Sequence, residues 1–369
     1  MNLTPGVASP GYRGPGEFKI IDGGGRLGAP RISVVITCFN KARTLEACIS
    51  SIYDQAIDGL EVVVVDDGST DDSLERASKF SGLENFRLLK LPHNGISSAK
   101  NEGIRASRGN IVLFLDGDCI LERGALERVL GIFEAGGDGL GCVGGEVRAL
   151  NGSRSIARTI ELIQNEFPRK WPFGANVAFR REVLERLGGF DTGMEYGEDA
   201  DLFLRMRKAG YGYVMAKSVS ARTENPESLF ALFKQRYKWG KGFAQLIDRH
   251  PELFDNRVKL CFALNYAILA SLISSAIHPL ALLAFFSLFA INLLRFLPSA
   301  LGAYRISGER SHLALVPIVK ATSALAYSLS WLVHAIGRPR RADRRAYGSP
   351  IQGTGPQEPR LARGYIDYG

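Results

Sequence analysis

Ile111-Val112-Leu113-Phe114-Leu115 runs directly into Asp116-Gly117-Asp118. Consecutive apolar residues of this length read as a strand buried on both faces. In an open α/β sheet, ligands bind in the crevice beyond the carboxyl ends of such strands. Here two carboxylates stand at that end, one residue apart. They repel each other unless a cation or a hydrogen-bonding substrate offsets their charge. The stretch therefore predicts a buried sheet with a site at its edge for a divalent cation and for the phosphates that cation would hold.

Working outward, the same grammar repeats. Ser33–Thr37 reads as a buried strand, followed by an amphipathic helix with Leu45, Ile49 and Ile52 on one face. Val62–Val65 is a second strand and ends in Asp66-Asp67-Gly68-Ser69. Ser69 and Asp72 have the spacing of a capping box for the next helix. Arg87–Leu89 is a short third strand, and a helix covers Ser97–Ser107 before the Ile111 strand. Alternating helices and all-apolar strands predict an α/β fold with a mostly parallel central sheet. Beyond residue 145 the pattern loosens to short elements at Asn176–Phe179, Glu182–Leu187 and Glu198–Lys208.

Composition bounds the remaining choices. The chain is 46% hydrophobic and 23% charged, ordinary for a folded protein, with a net charge of +8. The excess is concentrated in Arg338, Arg340, Arg341, Arg344 and Arg345. That run follows apolar segments, which favours an anionic lipid surface over nucleic acid. The five cysteines include no Cys-x-x-Cys pair, and the five histidines have no ligand spacing, which argues against a disulfide framework or a zinc site. Residues 1–30 are rich in Gly and Pro and lack an apolar signal core, so they read as a flexible lead-in to a domain over 31–255. Between Val258 and Leu297 only Lys259 and Arg295 are charged, with a break at His278-Pro279. Between Leu313 and Ile336 only Lys320 is charged, His334 aside. A membrane span needs about 20 apolar residues. Residues 256–337 are therefore expected to form two spans plus an interfacial helix. Residues 338–369 then return as a basic tail to the cytoplasmic side, beside the catalytic unit, as the positive-inside rule prefers.

Three acidic clusters carry the chemistry. Asp66-Asp67 and Asp116-Gly117-Asp118 end neighbouring strands and so face one crevice. Either alone is explained by turn formation or helix capping. Together they suit hydrogen bonding to a base or ribose and coordination of Mg²⁺ or Mn²⁺, which take oxygen ligands and bridge to phosphates. The third cluster, Gly197-Glu198-Asp199-Ala200-Asp201, opens a helix, where acids stabilise the N-terminus. A carboxylate there is also placed to act as a general base on an acceptor hydroxyl.

These residues resemble a known family. Val34-Val35-Ile36-Thr37-Cys38-Phe39-Asn40-Lys41, Val65-Asp66-Asp67-Gly68-Ser69, Ala99-Lys100-Asn101-Glu102-Gly103, Leu115-Asp116-Gly117-Asp118, Gly174-Ala175-Asn176-Val177-Ala178-Phe179-Arg180, Gly188-Gly189-Phe190-Asp191 and Glu198-Asp199 follow one another as in family-2 glycosyltransferases of GT-A fold. The resemblance covers about half the chain. It implies a nucleotide-sugar site in which Thr37 and Asp67 hold the base with Asp66 nearby. Asn40, Lys41 and Lys100 would line the nucleotide and phosphates, and Asp116 the ribose side. Asp118, with Asp116, would take the metal, and Asn176 would lie in the wall near the donor sugar. Asp199 matches the catalytic base and Glu198 its neighbour. Gln235-Arg236-Tyr237-Lys238-Trp239 resembles the Gln-x-x-Arg-Trp signature of membrane-bound synthases, with Lys238 in place of arginine. There Gln235, Lys238 and Trp239 would serve acceptor and pyrophosphate. Lys lacks arginine's bidentate grip, which argues against processive synthesis; an amphipathic helix anchored by Trp239 explains the same residues.

The resemblance implies an inverting, metal-dependent transfer from a UDP-sugar to a lipid-linked or growing glycan, with Asp199 as base. A processive polysaccharide synthase of the same family is the alternative. Asp-x-Asp phosphatases and a non-catalytic nucleotide-sugar scaffold are further ones; Ile120 departs from the phosphatase pattern, and three intact acidic clusters speak against the scaffold.

Overall fold

In a computed structural model of the chain, residues 19–22, 30–166, 171–172 and 174–337 are described. The core is a nine-stranded sheet in the order β1-β4-β3-β2-β5-β8-β7-β9-β6. Its strands are β1 (Lys19–Asp22), β2 (Ile32–Cys38), β3 (Leu60–Asp66), β4 (Phe86–Lys90), β5 (Ile111–Asp116), β6 (Ile120–Leu121), β7 (Leu140–Ala149), β8 (Asn176–Arg180) and β9 (Gly212–Thr223). Helices α1 (Leu45–Tyr53), α2 (Ser73–Ser78), α3 (Ile96–Ala106), α4 (Ala125–Gly136), α5 (Ser155–Glu166), α6 (Arg181–Leu187) and α7 (Glu198–Lys208) connect them. Beyond the sheet come α8 (Leu229–Arg249), α9 (Asn256–Ser274), α10 (Pro279–Leu294), α11 (Leu297–Ser307) and α12 (His312–Ile336).

The apolar strands are buried on both faces because alternate residues feed two cores. Val34, Ile36, Val62 and Val64 pack with Leu45, Ile49 and Ile52 of α1 and Leu126 and Val129 of α4. Val35, Val63 and Val65 pack on the other side with Ala99 of α3, Leu184 of α6 and Leu202 and Phe203 of α7. Strands β4, β3, β2 and β5 are parallel, as expected. The sheet as a whole is mixed: β8 enters antiparallel to β5, β7 and β9 return to the direction of β5, and the short β6 is again reversed.

Other expectations need correction. The lead-in contains a strand, since β1 pairs antiparallel with β4 through Lys19–Asp22; the edge of β4 offered free ladder groups that glycine content did not reveal. The capping box at Ser69 does not form. Helix α2 starts at Ser73, where Asp71 Oδ1 accepts from the Ser73 amide at 3.0 Å, and Ser69 Oγ instead accepts from Asn40 N at 2.9 Å. The Arg338–Arg345 run lies outside the described residues.

Among the described residues two helices, α9 and α12, are long and apolar enough to cross a membrane; α10 and α11 pass that test only as a pair bent by 43°. Yet α12 is seated along α8. Val319 shares a cluster with Leu232, the Tyr327 ring meets Phe243 edge-on at 5.7 Å, and His334 Nε2 lies 3.1 Å from Asp248 Oδ2. At Gly240 of α8 a Cβ would stand only 2.6 Å from Ser330 Cβ, so the glycine is what lets the two helices touch.

Candidate active site

Register places the acidic clusters together. Cys38 of β2 is level with Asp66 of β3, and Thr37 is level with Asp116 of β5. The Asp67 amide donates to Cys38 O at 2.9 Å and the Gly117 amide to Thr37 O at 3.0 Å, extending both pairings one residue past the strands. Thus Thr37, Asp66, Asp67 and Asp116 share the carboxyl edge of three adjacent parallel strands, where such folds bind ligands.

On the β3 side the carboxylates organise backbone. Asp66 is fully buried and accepts from the Ser69 amide at 3.2 Å. Asp67 accepts from the Asn94 amide at 2.8 Å and the Gly95 amide at 3.0 Å. Burial pushes the Asp67 carboxyl upward, against the pull of those two amides. Asn40, in the left-handed region at φ 54°, caps the turn by accepting from the Thr70 amide at 2.8 Å. Beside Asp67, Phe39 stacks on His93 with ring centroids 4.2 Å apart, and His93 Nδ1 lies 2.9 Å from Asp67 O. Neither ring is evident in the sequence as a site residue, because their pairing depends on the β4–α3 loop folding back over β3.

On the β5 side lies a chain of alternating charges. Lys41 Nζ is paired with Asp118 Oδ2. Burial alone would lower the Lys41 ammonium, but Asp118 and Asp116 outweigh it and raise it. Lys100, 2% exposed, donates to Glu198 Oε1 at 2.7 Å, joining α3 to α7. Burial works against the Lys100 charge too, and Glu198, Asp116 and Asp199 together hold it above its ordinary range. The Asp116 carboxyl is pushed up to about 6 by desolvation, restrained by Lys100 and pushed further by Asp118 and Glu198. Asp199 is likewise pushed up to about 6, by desolvation and the Glu198 charge, against the pull of Lys100. Lys41, Lys100, Asp116, Asp118, Glu198 and Asp199 therefore form one electrostatic neighbourhood, although the chain brings them from four separate segments.

Asp199 is also held by position. Its Oδ2 accepts from the Gly174 amide at 2.8 Å and its Oδ1 from the Ala200 amide at 2.8 Å. A Cβ on residue 174 would stand 2.8 Å from Asp199 Oδ2, so only glycine allows that approach. Asp199 as a whole is half-buried.

With this geometry in hand, comparison with known proteins is decisive. The model for "Glycosyl transferase family 2" matches residues 33–188, and that for "Glycosyl transferase family group 2" matches residues 111–333, more than half the chain. The chain is a family-2 glycosyltransferase. It is 32% identical to glycosyltransferase AglE of Haloferax volcanii, over 60% of this chain and 76% of AglE. It is 30% identical to an N-acetylglucosaminyltransferase of Mesorhizobium japonicum, over 58% of this chain but only 55% of that protein. In three dimensions it is similar to the mannosyltransferase PcManGT from Pyrobaculum calidifontis, solved with GDP-Man and Mn²⁺; the TM-score is 0.54 at 22% identity, covering 86% of this chain and 89% of that one. That likeness shows the GT-A type fold.

Two expected site residues of this glycosyltransferase behave differently from expectation. Asn176 is fully buried and donates to Glu146 O at 3.0 Å and Val219 O at 3.2 Å. It ties β8 to the β7–β9 pair from inside the sheet. In the 235–239 motif, Lys238 projects into solvent, Gln235 and Trp239 are half-buried, and Arg236 is the residue that α8 buries. The Arg236 guanidinium lies 4.1 Å from the Trp239 ring centroid and hydrogen-bonds Tyr327 of α12, a residue that Asp199 also influences electrostatically. Burial lowers Arg236, partly offset by Tyr327. Tyr327 sits in an apolar segment, where the sequence signals only membrane.

Proposed function

We propose that this glycosyltransferase moves a sugar from a nucleoside-diphosphate donor, a UDP-sugar in our reading, to a hydroxyl of a lipid-linked or growing glycan, with inversion at the anomeric carbon. The observation that carries this reading is Asp199: a half-buried carboxylate pushed up to about 6 and oriented by two backbone amides. A general base works best with a pKa near the operating pH. Asp199 accepts the proton of the acceptor hydroxyl as that oxygen attacks the sugar. Attack from the face opposite the leaving diphosphate inverts the centre. Lys100 and Glu198 fix the electrostatics behind Asp199, and Lys41 faces the phosphates. Asp67, with the Phe39–His93 stack beside it, suits a flat base that needs a hydrogen-bond acceptor and a ring surface.

The residues present fit a divalent cation. Among the described residues no three His, Cys, Asp or Glu side chains form a self-sufficient cage. Mg²⁺ and Mn²⁺ at phosphate sites need only one or two carboxylates plus substrate oxygens. The Asp118 charge raises the cost of ionising Asp116, a repulsion that a cation relieves. Bound there, Mg²⁺ or Mn²⁺ would supply Lewis-acid stabilisation of the departing diphosphate.

The apolar α9 and α12 support association with the membrane, and our reading places the catalytic domain on the cytoplasmic side. That location confines enzyme and lipid-bound acceptor to one surface and raises their effective concentration. Single addition is favoured over processive extension, since Lys238 occupies the signature arginine position and points to solvent.

The test is release of nucleoside diphosphate from a panel of UDP-sugars and GDP-mannose, with Mg²⁺, Mn²⁺ or EDTA. We expect metal-dependent release from one UDP-sugar, abolished in Asp199→Asn while donor binding persists. Release that survives in Asp199→Asn removes the base assignment, and preference for GDP-mannose removes the UDP assignment.

A further inference from the structure

The C-terminal helices carry cations without anions of their own. From Asn256 to Ser307, and again from His312 to Ile336, the sequence contains no Asp or Glu. Two of the cations meet at one corner, where α10 and α11 bend by 43°. The Arg295 guanidinium lies 4.5 Å from the Phe296 ring centroid, and the Lys320 ammonium of α12 lies 5.8 Å from the same centroid. Lys320 donates to Ser299 Oγ of α11 at 2.7 Å. Arg295 Nη2 reaches Cys261 Sγ of α9 at 3.3 Å, and Arg295 Nε is shielded from solvent with no hydrogen-bond partner among the described residues. Four helices thus build a corner around a guanidinium whose one acceptor is a thiol, a weak one.

A guanidinium in apolar surroundings is costly unless an anion pairs with it. Arg295 has no carboxylate partner among the described residues, and the neighbouring segments supply none. Among the described residues no anion meets it, so a bound ligand can supply one. The surroundings say what carries it. Leu294 and Leu297 flank the corner at 62% and 42% exposed, and Leu283 and Phe286 continue the open apolar face of α10 at 65% and 58%. A soluble anion would leave that face in water; an anion on a hydrocarbon tail covers it.

We propose that the α9–α10–α11–α12 corner binds a lipid-borne phosphate. Its oxygens accept from Arg295 and Lys320, and its tail lies along α10. This deepens the reading above and rests on it, since a phosphate-bearing acceptor lipid held here would present its head group to the enzyme that extends it. No bond is made or broken at the corner itself.

The test titrates the full-length chain in neutral detergent with farnesyl phosphate, phosphatidylglycerol and inorganic phosphate as separate arms, read by calorimetry. We expect farnesyl phosphate to bind, and Arg295→Gln to weaken it about tenfold, the loss of one charge-assisted hydrogen bond. Arg295→Lys should lose less, and Lys320→Met should weaken binding further when combined with Arg295→Gln. Preference for farnesyl phosphate identifies an acceptor-type lipid; equal binding of phosphatidylglycerol identifies the bulk head group, and either upholds a lipid phosphate site. Equal affinity of wild type and Arg295→Gln overturns it, as does inorganic phosphate binding as well as farnesyl phosphate. Circular dichroism checks folding, and Arg295→Lys with Lys320→Met carries the test if Arg295→Gln does not fold. Asp199→Asn should bind like wild type while losing turnover, which separates failure of this site from failure of the glycosyl-transfer reading.

Discussion

At the scale of single residues, the site is governed by how many like charges the crevice tolerates. Asp116 and Asp199 are both pushed up to about 6, above their ordinary value of 3.8, chiefly by desolvation and then by neighbouring carboxylates. The sign follows directly. Below about 6 Asp199 holds a proton and cannot accept another; above it the carboxylate is free. Turnover should therefore rise with pH through an acidic limb near 6, and the pH profile of kcat checks this. An acidic limb near 4 would mean that the catalytic base is a more exposed group. Asp199→Asn should lower kcat by about 10²–10⁴-fold, the usual share of a general base, with donor affinity retained in a binding titration. Gly174→Ala tests orientation separately from chemistry. Its new Cβ, 2.8 Å from Asp199 Oδ2, forces the carboxylate aside. The expected result is a large fall in kcat with little change in donor affinity. Lys100 and Glu198 are 2% and 6% exposed, so removing one leaves the other buried and unpaired. Glu198→Gln should cost about 3–5 kcal/mol of stability by denaturant titration, and adding Lys100→Met should recover part of it.

At the scale of elements, legibility followed burial. Strands β2, β3 and β5 were evident because each is apolar throughout, and a run of that kind has no other stable place than the middle of a two-sided sheet. Helix α7 was evident from its acidic first turn, and its residues Glu198–Lys208 coincide with expectation. Strand β1 was not, because its partner is the edge of β4 and pairing of that sort leaves no hydrophobic pattern. The antiparallel entry of β8 was hidden for a related reason: direction is set by where α5 delivers the chain, not by the composition of Asn176–Arg180. Among site residues, those at the ends of parallel strands were legible, since register alone groups them. Asn176 misled because a family block fixes position in the fold without saying whether the amide faces ligand or neighbouring strands. Arg236 and Tyr327 were illegible as a pair, being far apart in the chain and joined only by the docking of α12 on α8. That docking predicts the behaviour of Gly240. A methyl there meets Ser330 Cβ at 2.6 Å and must part the helices. Gly240→Ala should lower Tm and reduce turnover together, whereas an alanine at exposed Lys238 should leave Tm unchanged.

At the scale of the whole molecule, the apolar C-terminal helices are packed against the glycosyltransferase domain through α8. A tether contributes location alone and can be removed without touching chemistry. Here α12 lies against α8 from Leu232 to Asp248, and its Tyr327 hydrogen-bonds Arg236 within electrostatic reach of Asp199. Helix α8 carries Lys234, Arg236, Lys238 and Lys241, charges that are costly to draw into hydrocarbon. A helix bound along it is held beside the catalytic domain, and the α9–α10 hairpin is the more open apolar surface. Its exposed side chains agree: Ile273, Ile277, Leu280 and Leu283 are 65% exposed or more. Two variants separate anchoring from completion of the site. Deleting residues 256–337 strips α12 from α8 and should abolish transfer even to a soluble acceptor, with donor hydrolysis also reduced. Replacing Ile273, Ile277, Leu280 and Leu283 with serine removes the open apolar surface but leaves the α8–α12 contact. It should weaken sedimentation with phosphatidylglycerol vesicles while keeping donor hydrolysis at wild-type rate. If the deletion retains full hydrolysis in solution, α12 is a tether after all, and the Arg236–Tyr327 contact has no part in the chemistry.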